Sequence, residues 1–257
     1  MNRRIVAPVV GILVFLGLWE LLVRATDVKP FILRAPSRIV AYLVDNAGDY
    51  ASAAWVTALH ALGGLTIALV VALLVGSLMA TSAFLEHATQ PVLILLQVTP
   101  FVAYIGSVVL WLGSGTPPVL FITALVCMPA FAFATVDGMR SADPATRELL
   151  ASVDASRIEV LWRLRLPSAL PSLFTAARYN VGLALIAAYL VEGGNFANQG
   201  LGNIGRRAAA LNQGDALWAA IFAMALLGTI FLLMISLLQR VVLRWHVSQR
   251  PPRPNWS

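Results

Sequence analysis

Residues 56–80 read VTALHALGGLTIALVVALLVGSLMA. These positions carry no Asp, Glu, Lys or Arg. At a rise of ~1.5 Å per residue, a helix of this length is about 37 Å long and crosses the ~30 Å hydrocarbon core of a bilayer. Within the run, Gly64, Ala68, Ala72, Gly76 and Ala80 recur at every fourth position and form one continuous small-residue face. In lipid, helices associate through packing rather than through the hydrophobic effect, and small faces let their backbones approach. The stretch therefore predicts a spanning helix shaped to fit against a neighbour.

Five further runs have the same character. The first covers Ile5 to Val23, and the run just quoted is the second. The third covers Pro91 to Leu112, the fourth Pro118 to Val136, the fifth Leu173 to Val191 and the last Ala216 to Leu238. The composition agrees: 59% of the 257 residues are hydrophobic, 12% are charged, and the mean hydropathy is +0.81. An average soluble domain is roughly 45–50% apolar and about 25% charged. So little charge rules out disorder, and such a chain lacks the polar groups to cover a soluble surface. The predicted fold is all-α, a polytopic membrane bundle of about six helices. Arg3 and Arg4 precede the first run as they would in a signal peptide. That run exceeds a typical signal core and no small-x-small site follows it, so it is expected to be retained.

The net charge is +6, with a single lysine, Lys29. The arginines lie between apolar runs, which points to membrane orientation rather than nucleic-acid binding. With the N-terminus inside, twelve basic residues fall on the cytoplasmic side, from Arg3 and Arg4 through Arg140–Arg178 to Arg240–Arg253. Six fall outside: Arg24, Lys29, Arg34, Arg38, Arg206 and Arg207. This imbalance predicts a multi-pass inner-membrane protein with both termini cytoplasmic. The expected organisation is an N-terminal helix and outer segment (1–55), a core (56–240) and a cytoplasmic tail (241–257), disordered over 251–257.

Few polar residues fall at depth. The fifth run carries Ala176, Asn180, Ala184 and Ala188 in one register, so Asn180 either bonds a neighbouring helix or lines a solute path. Pro100 and Pro129 are expected to interrupt their helices. Gln97, Thr99 and Tyr104 cluster beside Pro100. Gln97, Tyr104 and Asn180 are therefore candidate pathway residues, although packing explains them equally well. Glu20 and Glu192 end helices and are expected at the outer interface. No chain of buried charges of the kind used by proton-driven pumps is visible. Cys127 reads as a small buried hydrophobe. One cysteine and three scattered histidines predict neither a disulfide nor a metal site.

The stretch Asp137–Pro171 is different. It holds Asp137, Arg140, Asp143, Arg147, Glu148, Asp154, Arg157, Glu159, Arg163 and Arg165. Asp143-Pro144 reads as a helix cap followed by proline at the first helical position, opening a helix to about Val153. Asp154 is expected to cap a second helix, about Ala155 to Leu164, which Leu166-Pro167 stops. Ile158, Leu161 and Trp162 share one face at helical spacing. Two short amphipathic helices suit docking into a groove on a partner protein or, equally, lying on the lipid surface.

At this point the sequence resembles the permeases of binding-protein-dependent ABC importers. Their cytoplasmic motif reads E-A-A, three residues, G, nine residues, I-x-L-P. Here Glu148-Leu149-Leu150, Asp154 and Leu164-Arg165-Leu166-Pro167 keep that spacing. Two alanines are leucines and the glycine is Asp154. Asp tolerates the left-handed turn a glycine would permit better than most residues do. Ala35-Pro36-Ser37, Gln97–Pro100, Leu110–Gly115 and Gly200-Leu201-Gly202 resemble segments of the nitrate/sulfonate/taurine-type group. His60, in Thr57-x-Leu59-His60, departs from that group's T-L-R.

The resemblance implies a type I importer permease acting as a homodimer. Two cytoplasmic ATPase subunits would bind ATP and Mg, and an extracytoplasmic solute-binding protein would deliver the substrate. It implies ATPase-coupling roles for Glu148, Ala151, Asp154, Ile158, Leu161, Trp162, Leu166 and Pro167. The chain itself carries no Walker A motif, since Lys29 sits in Val-Lys-Pro, and it is not expected to be an enzyme or to hold a cofactor. The alternative is a secondary transporter or channel driven by an ion gradient alone. The sequence does not name the substrate.

Overall fold

The computed structural model describes residues 3–26, 33–197 and 199–244. The expectations for Lys29 and for the 251–257 tail concern residues outside that set. The described residues form helices joined by short turns: α1 (Arg3–Ala25), α2 (Pro36–Asp45), α3 (Ala47–Thr81), α4 (Ala83–Val98), α5 (Ile105–Leu112), α6 (Thr116–Arg140), α7 (Pro144–Ser152), α8 (Arg157–Val160), α9 (Leu166–Val191), α10 (Leu201–Ala210) and α11 (Gly214–Val242). A 3-10 turn, Phe101–Tyr104, precedes α5, and π turns at Leu161–Arg165 and Glu192–Phe196 flank α9. Five helical stretches are long and apolar enough to cross a membrane, or six if the bent α4–α5 pair counts as one span. The expected helix bundle is thus observed.

The small-residue face of α3 does what its spacing predicts. Gly64, Ala68, Ala72 and Gly76 are buried, mainly against α6. A Cβ at Gly76 would lie 2.6 Å from Thr135 Cβ and 2.8 Å from the Ala132 carbonyl oxygen. The α6–α9 seam is as close: a Cβ at Gly138 would meet Ala169 Cα at 2.5 Å. Lower in that seam, Asn180 Nδ2 donates to the Cys127 carbonyl oxygen (3.0 Å), and both residues are buried. Cys127 is the buried small residue its surroundings predicted.

Helix α11 adds Ala219, Ala220, Leu227 and Phe231 to the core. Asp215 at its start receives Arg34 (2.9 Å) and Arg38 (3.2 Å), pinning α2 to it. Helix α1 is the loosest element and contributes no buried residue to its apolar stretch. It is attached through Trp19, stacked edge-on against Trp218 and Phe222, and through Glu20, which accepts from the Ser37 N–H and hydroxyl.

The prolines behave unequally. Pro100 breaks the third run: α4 and the Phe101–Leu112 segment meet at 92°. The physical cause is local, because the residue before a proline is pushed out of the helical region, and Thr99 is extended (ψ 127°). Pro129 does not interrupt α6, and Leu166-Pro167 does not stop the helix before it. Instead α8, the π turn and α9 run on continuously, with Pro167 in the first turn of α9, where a proline is tolerated. Residues 81–90, which join the second and third apolar runs, are helical apart from Ser82, whose side chain caps α4.

Candidate functional site

The charged segment between α6 and α9 folds as a helix pair. Asp143 caps α7 as its sequence predicts: its carboxylate accepts from the Thr146 N–H (2.9 Å) and hydroxyl (2.6 Å). Those bonds hold the Asp143 carboxyl below the usual carboxylate range. Asp154 adopts φ +52°, the left-handed turn its position called for. It does not cap the second helix. Ser156 does, in a reciprocal box with Glu159, so α8 begins at Arg157. The Ser-x-x-Glu signature of such a box was present in the sequence.

Asp154→Gly is expected to be neutral or to stabilise the chain slightly. Asp154→Val is expected to cost about 1–2 kcal/mol, the left-handed penalty of an ordinary L-residue, measured by thermal unfolding.

The candidate coupling residues separate into two groups. Glu148, Ala151, Asp154, Ile158 and Trp162 are exposed, whereas Leu161, Leu166 and Pro167 are half-buried, the two leucines packing on the bundle core. The shared face predicted for Ile158, Leu161 and Trp162 is therefore divided between solvent and core. Sequence reasoning missed two neighbours. Leu149 and Val153 are 65% and 67% exposed, close to Ile158 (69%) and Trp162 (67%). Large apolar side chains thus stand outward on both arms of a helix pair. The pair is rigidly mounted, because the second arm continues into α9 without a break.

The candidate pathway residues do not converge. Gln97 is exposed near the end of α4, and Tyr104 packs half-buried against the Ile105–Val119 cluster. Asn180 is committed to its bond across the α6–α9 seam.

A second polar site was not foreseen. Glu192, expected at the outer interface, has no exposed surface. Its Oε1 lies 2.8 Å from His60 Nδ1, and its Oε2 accepts from the Thr57 hydroxyl (2.8 Å) and the Gly202 N–H (3.0 Å). The Thr57 hydroxyl in turn accepts from the Leu201 N–H (2.9 Å), and His60 Nε2 meets Thr116 Oγ1 (3.2 Å). One carboxylate thereby joins α3, the end of α9, the start of α6 and α10.

The Gly-Leu-Gly segment serves this joint. Gly200 has φ +101°, and a Cβ there would strike the Glu192 carboxylate. A Cβ at Gly202 would strike the Tyr189 carbonyl oxygen. Thr57, His60, Glu192 and the two glycines were each visible in the sequence. What was missing is that more than a hundred residues of chain fold back to place them together. Among the described residues no cluster of His, Cys, Asp or Glu is suited to hold a metal ion.

Comparison with known proteins agrees with this architecture. Residues 68–244 match the family model described as binding-protein-dependent transport system inner membrane component. The formylaminopyrimidine transport permease protein ThiX of Halalkalibacterium halodurans is 30% identical over 243 residues, covering 94% of this chain and 96% of that protein. The taurine transport system permease protein TauC of Escherichia coli is 26% identical over 256 residues, covering 96% and 92%. Among solved structures, the inward-facing MetNI methionine ABC transporter aligns with a TM-score of 0.68 at 16% identity, over 76% of this chain and 97% of that one. That structural match shows the fold, and the family match spans most of the chain. The protein belongs to the binding-protein-dependent transport system inner membrane components, as a multi-pass permease subunit of an ABC importer of the sulfonate/taurine-type group.

Proposed function

We propose that two copies of this chain form the solute pathway, with both termini cytoplasmic, and that α7, α8 and the π turn between them and α9 dock onto a cytoplasmic ATPase, one for each copy. The observation that carries this reading is the outward row of Leu149, Val153, Ile158 and Trp162, 65–69% exposed on a helix pair fused to a spanning helix. Aromatic and aliphatic anchors surrounded by charge are what a docking contact uses. Because α8 and α9 are one helix, a displacement imposed on Ile158 and Trp162 passes directly into the membrane. ATP would bind to the partner, and the closing ATPase pair would favour one state of the bundle over the other. Glu148, Ala151 and Asp154 form the polar and turn portion of the contact, while Leu161, Leu166 and Pro167 anchor it to the core. Gln97 and Tyr104, at the 92° bend, are the pathway candidates we retain. A solute-binding protein would deliver substrate to the opposite face. The relatives' named substrates, formylaminopyrimidine and taurine, differ widely in chemistry, so selectivity is assigned to that binding protein.

The test is co-purification of the ATPase with the permease, together with substrate-stimulated ATP turnover. Trp162→Asp and Glu148→Arg are expected to reduce recovery of the ATPase at least about tenfold, while changing the chain's own stability by no more than about 0.5 kcal/mol because both positions are exposed. Unchanged association and turnover would reject the docking site. Uptake driven by an ion gradient without the ATPase would favour a secondary transporter instead.

A further inference from the structure

Two cavities meet at Thr81, where α3 ends. The first, of about 360 Å³, lies between the ends of α3 and α6, α7 and the π turn after α8. Arg140, Arg147 and Arg165 line it, with Met139 and Leu164 as apolar walls. Arg140 is already held by Glu86 through two contacts of 2.8 and 2.5 Å. Arg147 and Arg165 have no carboxylate partner among the described residues. The second cavity, of about 940 Å³, is an apolar groove between α3, α9 and α11. Its α3 wall extends from Leu69 to Thr81, about 18 Å at ~1.5 Å per residue. Leu78, Leu170, Phe174 and Leu238 line it, and its walls are mostly the spanning helices.

An arginine pocket alone would accept many anions, and an apolar groove alone many occupants. Here the two adjoin, with Thr81 lining both, at the level where three spanning helices give way to the charged segment. That sequence of environments matches a molecule with an anionic head and a long hydrocarbon tail. We propose that the two adjoining cavities together bind an anionic phospholipid, its phosphodiester paired with Arg147 and Arg165 and one acyl chain lying in the α3–α9–α11 groove. Guanidinium groups pair with phosphate oxygens through two parallel hydrogen bonds. Basic pockets between spanning helices are known to hold acidic lipid head groups. The lipid would bridge α3 to the helix that carries Ile158 and Trp162. Trp162 and Leu166 also line this groove, so the lipid would pack beside the segment proposed above to meet the ATPase, and its binding is therefore measured on the permease alone.

The test uses the purified full chain, stripped of lipid in detergent, with bound lipid counted by native mass spectrometry. Phosphatidylglycerol is expected to bind at least about tenfold more tightly than phosphatidylcholine, and millimolar inorganic phosphate is expected not to displace it, because phosphate lacks the tail. The R147Q/R165Q double variant is expected to lose that tenfold preference, and R147K/R165K to keep most of it. Ala177→Phe, which fills the groove, is expected to weaken phosphatidylglycerol binding while leaving the arginines in place. Equal affinity for the two lipids would overturn the proposal. So would unchanged binding in R147Q/R165Q, which would assign the arginines to a partner protein's carboxylates. Binding to single chains that vanishes in the dimer would assign the groove to a second copy, and would overturn it as well.

Discussion

Replacing Glu192 by alanine is expected to lower the unfolding free energy in detergent by about 3–5 kcal/mol, the usual result of removing one member of a buried pair. The carboxylate is wholly enclosed and accepts from Thr57 and the Gly202 N–H while facing His60. Alanine would leave each of those groups without its acceptor in a place water does not reach. A loss of 3 kcal/mol corresponds to a fall in Tm of roughly 6–12 °C for a chain of this size. His60→Ala should lie in the same range, because it strands the carboxylate instead. Glu192→Gln should lose less, since the amide oxygen still accepts. The double variant His60→Leu/Glu192→Leu is the informative control: it removes both members of the pair but still strands the Thr57 hydroxyl and the Gly202 N–H, so it should recover only part of the loss. A Glu192→Ala chain that melts with the parent would show that the joint contributes little.

The second large effect is at the α3–α6 seam. Gly64→Val and Gly76→Val are each expected to destabilise by about 1–3 kcal/mol or more, the ordinary range for overpacking. At Gly76 the new side chain would face a backbone oxygen as well as Thr135, and a backbone atom cannot rotate away. At Gly64 it would strike Thr123 and approach the Ala124 nitrogen at 3.3 Å. Gly17→Ala on α1 is the matched control: nothing lies within 4 Å of a Cβ there, so the change should stay within about 0.5 kcal/mol. Thermal unfolding of the three variants side by side separates a packing effect from a general dislike of replacing glycine.

Hydropathy and small-residue spacing were enough to read the bundle, because a spanning helix must satisfy its own backbone and declares itself in a single segment. The left-handed turn at Asp154 was legible through the glycine of the resembled motif, whereas the residue read by itself suggested a helix cap, a role that Ser156 fills. Prolines were less so. Pro100, Pro129 and Pro167 look alike in sequence, but only Pro100 follows a residue that leaves the helix. At the other two, packed neighbours or a place in the first turn of α9 let the helix run through. The burial of Glu192 was hidden for a different reason. A carboxylate at a helix end reads as an interfacial residue unless its partners are known. Those partners, Thr57 and His60, lie 135 and 132 residues earlier. The outward row on the coupling segment was only half read, because Leu149 and Val153 lie on and just after α7, on the far side of the Asp154 turn from Ile158 and Trp162.

The most direct test is hydrogen–deuterium exchange of the permease with and without its ATPase. The coupling account predicts slowed exchange across residues 144–165, centred on the exposed Leu149, Val153, Ile158 and Trp162, when the ATPase is added. Exchange in 144–165 that is unchanged, with protection appearing on another segment, would contradict it.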